Sequence, residues 1–341
     1  MPLYSEVQDM KKTDTCFVEN EVAKTGGSTA QKLLSWLNKS MMLIILVLTV
    51  IIFSSLSPYF LTLKNLYAVG LDISVIGIIC IGQTLCILTQ GFDLSVGYVA
   101  AFCGMLVAFL CGKLGIPYVP ALLVGLLAGG LAGFINGILI TKGRINALIT
   151  TLATGYMLMG GVIVLSKGYS IIVSRPEFIL IGTTKVYGIP LPLIVLLLLY
   201  GVFHIILTHT VLGRQIYCVG GNPLAARIAG INTEKTQIVV YIVSGVLAAF
   251  AGVVLSSRMG AAQTSIGSSY AMESIAAAVL GGTVLAGGEG KMSGSLLGVV
   301  IIGILSNGLI MLGIDQAYRN IATGLVLVLA VLMQNANTRK V

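Results

Sequence analysis

Long, uninterrupted apolar runs dominate the chain, at roughly 41–57, 66–88, 95–112, 119–140, 147–165, 189–208, 237–256, 273–290, 293–312 and 319–333. Each is close to the ~20 apolar residues that a helix needs to cross the hydrocarbon core of a membrane. The runs are continuous and do not alternate, so helices rather than barrel strands must satisfy their backbone. The sequence therefore predicts an all-α integral membrane protein with about ten transmembrane helices. Hydrophobic residues make up 57% of the 341 and charged residues only 9%, against about a quarter charged in soluble domains. That balance excludes a soluble globular domain, a disordered chain and a disulfide-built scaffold.

The basic residues orient the spans. Lys64, Lys113, Lys167, Arg175, Lys185, Arg258 and Arg319 fall on one side of the predicted topology, and all the other Lys and Arg fall on the opposite side. The richer side is read as cytoplasmic, with both termini there. Residues 1–39 lack the basic-then-apolar start of a signal peptide and form a cytoplasmic tail. Within it, Leu33, Leu34, Trp36 and Leu37 beside Lys32 and Lys39 suit either a helix lying on the membrane surface or a plain tether. Residues 40–334 are the transmembrane domain, and 335–341 form a second cytoplasmic tail. The net charge of +8 is read as anchoring to anionic lipid, with no nucleic acid partner.

Three loops are long enough to act: 166–188 and 257–272 outside, and 209–236 inside. The inner loop is the most polar internal stretch and the natural docking surface for a soluble partner. Of six cysteines, Cys80, Cys86, Cys103 and Cys111 lie in apolar stretches and none forms a C-x-x-C pair. With only His204 and His209 as histidines, neither a disulfide framework nor a metal site is expected.

Gly125, Gly129, Gly133 and Gly137 recur at four-residue spacing along the fourth run, and Gly294 and Gly298 repeat the pattern in the ninth. A bare stripe lets another helix approach closely, either inside the bundle or at a subunit interface. Four acids, Asp72, Asp93, Glu273 and Glu289, stand in or beside apolar runs, where ionisable groups are costly. No Lys or Arg sits mid-span, which weighs against an ion-coupled charge relay. The densest polar interruption is Gly82-Gln83-Thr84 followed by Thr89-Gln90-Gly91-Phe92-Asp93-Leu94-Ser95-Val96-Gly97. It reads either as a tight turn with Asp93 or Ser95 capping the third span, or as irregular backbone lining a transport path. No phosphate-binding glycine loop with a Lys-Ser/Thr ending appears, and no hydrolase or metalloprotease motif. An enzyme acting alone is not expected.

Four blocks, in order, carry a resemblance. Gly82-Gln83-Thr84 and Gly91-Phe92-Asp93-Leu94-Ser95-Val96-Gly97 resemble the G-Q-T…G-G-I-D-L-S-V-G signature of ribose-type ABC sugar permeases. Asn136-Gly137, Lys142-Gly143-Arg144-Ile145-Asn146-Ala147 and Thr151-Leu152-Ala153-Thr154 are similar to that family's N-G…K-x-R-I-N-A-F-I-x-T-L-A-T block. Gly220-Gly221-Asn222-Pro223-Leu224-Ala225-Ala226-Arg227-Ile228-Ala229-Gly230-Ile231 resembles its cytoplasmic G-G-N-P-E-A-A-R-L-x-G-I loop. Ala276 to Thr283 with Gly287-Gly288-Glu289-Gly290 is similar to its late glycine block. Two departures stand out: Gln90 occupies a position that is usually Gly, and Leu224 one that is often Glu.

The resemblance implies a type II-like ABC importer permease bundle in the bacterial inner membrane. It implies a paired second permease, most simply an identical copy, and an exported sugar-binding protein docking outside. It also implies a cytoplasmic ABC ATPase, which would hydrolyse ATP while this chain binds no cofactor. Coupling to that ATPase would fall to Arg214, Asn222, Pro223, Leu224, Ala225, Ala226, Arg227 and Gly230. Asn222-Pro223 can open a short helix, with Asn as cap and Pro in the first turn. Outside, Lys167, Arg175, Lys185 and Arg258 would meet the binding protein or serve as snorkelling anchors. Gln83, Thr89, Asp93, Ser95, Asn136, Asn146 and Thr150 are the candidate path residues, since amides and hydroxyls suit sugar hydroxyls. Competing expectations are an ion-coupled secondary transporter, a same-family importer of a nucleoside or sugar-like signal, and a non-transport scaffold or receptor.

Overall fold

The computed structural model describes the backbone of residues 29–264, 267 and 269–338, and the side chains of 42–264, 267 and 269–332. The chain divides into two units, Met1–Ile45 and Leu46–Val341. Helix α1 (Thr29–Leu56) begins in the first unit and ends in the second. Residues 29–39, expected as a surface helix or tether, are thus its opening turns. The rest of the N-terminal tail, residues 1–28, and residues 339–341 lie outside the described residues.

The second unit is helical almost throughout. Its elements are α2 (Leu63–Leu88), α3 (Val96–Gly112), α4 (Tyr118–Thr141), α5 (Ala147–Ser166), α6 (Pro176–Thr183), α7 (Leu191–His209), α8 (Val211–Gly221), α9 (Pro223–Ile228), α10 (Thr233–Met259), α11 (Tyr270–Leu280), α12 (Met292–Met311) and α13 (Gln316–Thr338). Among the described residues α2, α4, α5, α7, α10 and α12 are long and apolar enough to cross a membrane, while α3, α11 and parts of α1 and α13 are shorter apolar helices.

The eighth apolar run differs from expectation. A span over 273–290 was predicted, but α11 stops at Leu280. Gly282, Gly287 and Gly288 then take φ of 85°, 86° and 75°, a left-handed backbone that only glycine adopts without strain. An α-helix cannot continue through it. Eleven residues of helix reach about 16 Å, half the ~30 Å hydrocarbon thickness. The remainder of this stretch is a hydrogen-bonded glycine loop, in which Val284 N donates to Glu289 O (2.9 Å) and Gly287 N to Val284 O (2.9 Å).

Helices α2 and α10 form the centre. Of the apolar window of α2, 94% is buried inside the protein, against 22% for the peripheral α7. The glycine stripe explains how α4 reaches that centre. A Cβ at Gly125 would meet Val107 of α3, one at Gly129 would meet Ala249 and the Gly245 carbonyl, one at Gly133 the Tyr241 carbonyl, and one at Gly137 the Ile238 backbone. The stripe is therefore an internal seam against α3 and α10. Gly294 and Gly298 do the same for α12, against the backbone of Gly281 and Ala277.

The two ends of this unit differ. At one end Leu88, α8, α9 and the 281–290 loop come together. At the other, β1 (Ile171–Ile172) pairs antiparallel with β4 (Ala261–Ala262), and β2 (Lys185–Val186) forms a hairpin with β3 (Ile189–Pro190). Gly182 N of α6 donates to Ser257 Oγ at the end of α10 (2.8 Å). Both loops assigned to the outside thus join in one small structure. Cys80, Cys86, Cys103 and Cys111 are buried, as their apolar surroundings predicted.

Candidate functional site

The polar interruption between α2 and α3 folds into a buried knot. Asp93 is 1% exposed. Its Oδ1 accepts hydrogen bonds from Ser95 N (3.0 Å) and Ser95 Oγ (2.5 Å), and its Oδ2 accepts from Ser244 Oγ of α10 (2.8 Å). Asn136 Nδ2 of α4 donates to Ser95 Oγ (3.0 Å), and Thr154 Oγ1 of α5 donates to Asn136 Oδ1 (2.7 Å). Leu94 N donates to Thr151 Oγ1 (3.1 Å), and the Tyr241 hydroxyl to Phe92 O (3.2 Å). Three helices, α4, α5 and α10, are tied to one turn. Ser95 occupies the helix-capping position but makes no capping bond, because its hydroxyl is committed to Asp93. Removing Asp93 strands several buried donors, each costing about 1–3 kcal/mol. Asp93→Ala should therefore destabilise the protein by about 3 kcal/mol or more. Asp93→Asn, which keeps one acceptor oxygen and lets Ser244 accept, should cost less than half of that, as thermal unfolding in detergent would show.

The seven path candidates do not share one lining. Asp93, Ser95 and Asn136 belong to the knot. Thr89 is wholly buried and its hydroxyl donates to Cys86 O (3.0 Å) within its own helix end. Thr150 Oγ1 donates back to Asn146 O (3.0 Å), and the exposed Asn146 caps α5 by accepting from Leu148 N (2.8 Å). Gln83 is different: it is fully buried, and among the described residues neither its Nε2 nor its Oε1 has a hydrogen-bond partner. Native proteins rarely leave such a group unmet without a reason.

A second cluster joins three distant segments. Gln90 Nε2 donates to Gly220 O (2.8 Å), Gly288 N to Leu88 O (3.0 Å), and the Tyr217 hydroxyl to Gly290 O (2.8 Å). Gln237 Nε2 of α10 donates to Thr89 O (3.2 Å). A Cβ at Gly220 would overlap the Leu88 carbonyl. The end of α8 is thus locked onto the end of α2 and onto the glycine loop. Gln90 holds φ 61°, a conformation that costs a non-glycine residue about 1–2 kcal/mol. The long-range bond to Gly220 offsets part of that. Gln90→Gly removes both terms and should shift stability by less than about 1 kcal/mol. Gln90→Ala keeps the strain, loses the bond and should cost about 0.5–1.5 kcal/mol. Paired melting curves check the sign.

Beyond this junction lies α9. Asn222 Oδ1 accepts from Leu224 N and Ala225 N, both at 3.0 Å. Pro223 takes the first helical position, where its missing N–H is harmless. Gly230, at φ 83°, ends the unit, with Ile231 N donating to Ala226 O (3.0 Å). Ala226 packs inward, while Leu224 and Ile228 are 69% and 80% exposed. They are four residues apart, so they share one face of the helix. Arg227 Nη2 reaches Thr233 Oγ1 (3.3 Å) and lies 4.0 Å from Glu234. Arg214 is exposed on α8.

The family described as branched-chain amino acid transport system / permease component matches residues 65–331. The ribose import permease protein RbsC of Escherichia coli K12 is 38% identical over 305 residues, 88% of this chain and 95% of that protein. RbsC of Haemophilus influenzae is 40% identical over 296 residues, 86% of this chain and 91% of that one. The D-allose transport system permease protein AlsC of Escherichia coli K12 is 37% identical over 288 residues, 84% and 88% of the two chains. No solved structure matches. The chain belongs to the ribose-type ABC importer permease family.

Members of this permease family are transport subunits and not enzymes, and the chain is a multi-pass inner-membrane protein. Within this permease, sequence reasoning missed Ser244, Tyr241 and Gln237, and named Thr151 and Thr154 only as part of a motif; together they complete the knot and its surroundings. Ser244 and Tyr241 carried a usable signal, polar groups inside an apolar span. Tyr217, whose hydroxyl pins the glycine loop, carried none.

Proposed function

We propose that this chain is the membrane subunit of an ATP-driven importer for a monosaccharide of the pentose or hexose type. Its relatives are named for ribose, D-allose and L-arabinose import or transport. Two copies pair across the membrane, the α8–α9 end faces the cytoplasm, and both termini lie on that side, as the basic-residue bias indicates. A cytoplasmic ABC ATPase binds and hydrolyses ATP, and an exported sugar-binding protein delivers the solute at the opposite end. The observation that carries the coupling half of this proposal is the apolar pair Leu224 and Ile228, presented in water on a capped helix whose base is locked to α2.

The motion follows from that attachment. A groove on the ATPase holds Leu224 and Ile228. When the two ATPases close, α9 moves and carries the end of α8 with it. Gly220 pulls on Gln90, and Tyr217 on Gly290. The ends of α2 and of the glycine loop shift together, changing access from one side of the bundle to the other. Gln83 sits five residues before the C-terminal end of α2, with an amide that no described protein group uses. It is the path candidate with the clearest capacity to meet a sugar hydroxyl. Gln83→Leu should leave folding unchanged or slightly improved, because no protein hydrogen bond is lost. The same change should lower uptake about tenfold if one solute contact disappears. Cells carrying the complete system and lacking only this chain should fail to accumulate one of D-ribose, D-allose or L-arabinose. Unchanged accumulation of all three would remove the proposal.

A further inference from the structure

The end of the bundle away from α9 holds charges that the knot and the junction do not use. Asp72 lies nine residues into α2, about 13 Å along the helix. Arg258, at the last turn of α10, donates through Nη1 to Asp72 Oδ1. Their side chains are only 33% and 28% exposed. A cavity of about 150 Å³ opens beside this pair, with Glu273 of α11, Arg319 of α13 and Tyr270 also on its wall. It adjoins a second cavity of about 290 Å³, which shares Ser269 and Glu273 and adds Asn320, Thr323 and Gly324.

Two carboxylates and two guanidiniums around one space are costly among apolar helices. Pairing alone does not account for all of them. Arg319 donates through Nη2 to Gln316 Oε1, yet its Nε is buried with no hydrogen-bond partner among the described residues. That N–H is a donor held ready beside carboxylate acceptors. The set suits a neutral, hydroxyl-rich ligand: carboxylates accept from adjacent hydroxyls, guanidinium N–H groups donate to hydroxyl and ring oxygens, and the amide of Asn320 does both. A charged ligand would upset a near-balanced site.

We propose that these joined cavities are a solute-binding vestibule for a monosaccharide, entered from the end opposite α9. The proposal deepens the importer function and rests on it. Asp72 and Gln83 share α2, about 16 Å apart along its axis, so a sugar leaving the vestibule meets the unpartnered amide next.

The test uses the complete transporter, with permease, ATPase and binding protein in proteoliposomes. The probe is whichever of D-ribose, D-allose and L-arabinose the unaltered system accumulates. Glu273→Gln removes the shared carboxylate. Gly324→Leu fills the larger cavity, and the bundle has room at that point, since a Cβ at Gly324 meets nothing within 4 Å. Each should lower sugar uptake about tenfold or more, while ATP hydrolysis stimulated by the binding protein stays within about twofold of the unaltered complex. Wild-type uptake in both variants would overturn the vestibule and leave the importer function standing. An unaltered complex that accumulates none of the three sugars would instead count against the importer function itself.

Discussion

Replacing Leu224 and Ile228 together with Asp should reduce sugar uptake at least about 100-fold while leaving the permease folded in the membrane. Both side chains are largely exposed, so the isolated protein loses little burial and should melt within about 0.5 kcal/mol of the original. In the proposed coupling each would seat an apolar side chain on the ATPase, whose burial is worth about 1.5–3 kcal/mol. Replacing both also forces two carboxylates toward an apolar groove. Co-purification of the ATPase and uptake should fall together. Leu224→Glu alone should retain most activity, since ribose-type permeases often carry Glu at this position. A double variant that still accumulates sugar at the normal rate would mean that α9 is not the docking element.

Gly133→Leu should severely damage the bundle. A Cβ there already overlaps the Tyr241 carbonyl, and backbone cannot step aside as a flexible side chain can. Overpacking costs about 1–3 kcal/mol when neighbours can adjust, and here α10 must move away from α4. Tyr241 and Ser244 would move with it, and both anchor the turn around Asp93. A loss of about 3 kcal/mol or more is expected, seen as low membrane yield and early melting. Gly160→Leu, where a Cβ meets nothing within 4 Å, should shift stability by less than about 0.5 kcal/mol. Equal behaviour of the two variants would contradict the internal-seam assignment.

Much of the bundle was legible because membrane helices announce themselves in composition. Most apolar runs found their helices, and four-residue glycine spacing found its seam. The Asn222-Pro223 cap was legible for a local reason, since its partners lie two and three residues away. What stayed hidden depends on distance in sequence. Asp72 and Arg258 are 186 residues apart, so no spacing rule pairs them. The junction of Gln90, Gly220 and Gly288 likewise joins three segments whose meeting follows only from tertiary packing. Gln90 was visible as a departure from a usual glycine, but its left-handed backbone was not. The span expected over 273–290 failed because apolar composition does not register glycine φ. Hydropathy reads solvent, not helix continuity.

In the proposed importer, energy enters this protein from outside itself, through α9. Sugar accumulation in proteoliposomes treated with ionophores, which collapse proton and sodium gradients, tests it most directly. With ATPase, binding protein and ATP present, accumulation of one of D-ribose, D-allose or L-arabinose should continue undiminished and stop when ATP is withheld. Accumulation by this chain alone, driven by an ion gradient and abolished by the ionophore, would contradict the account.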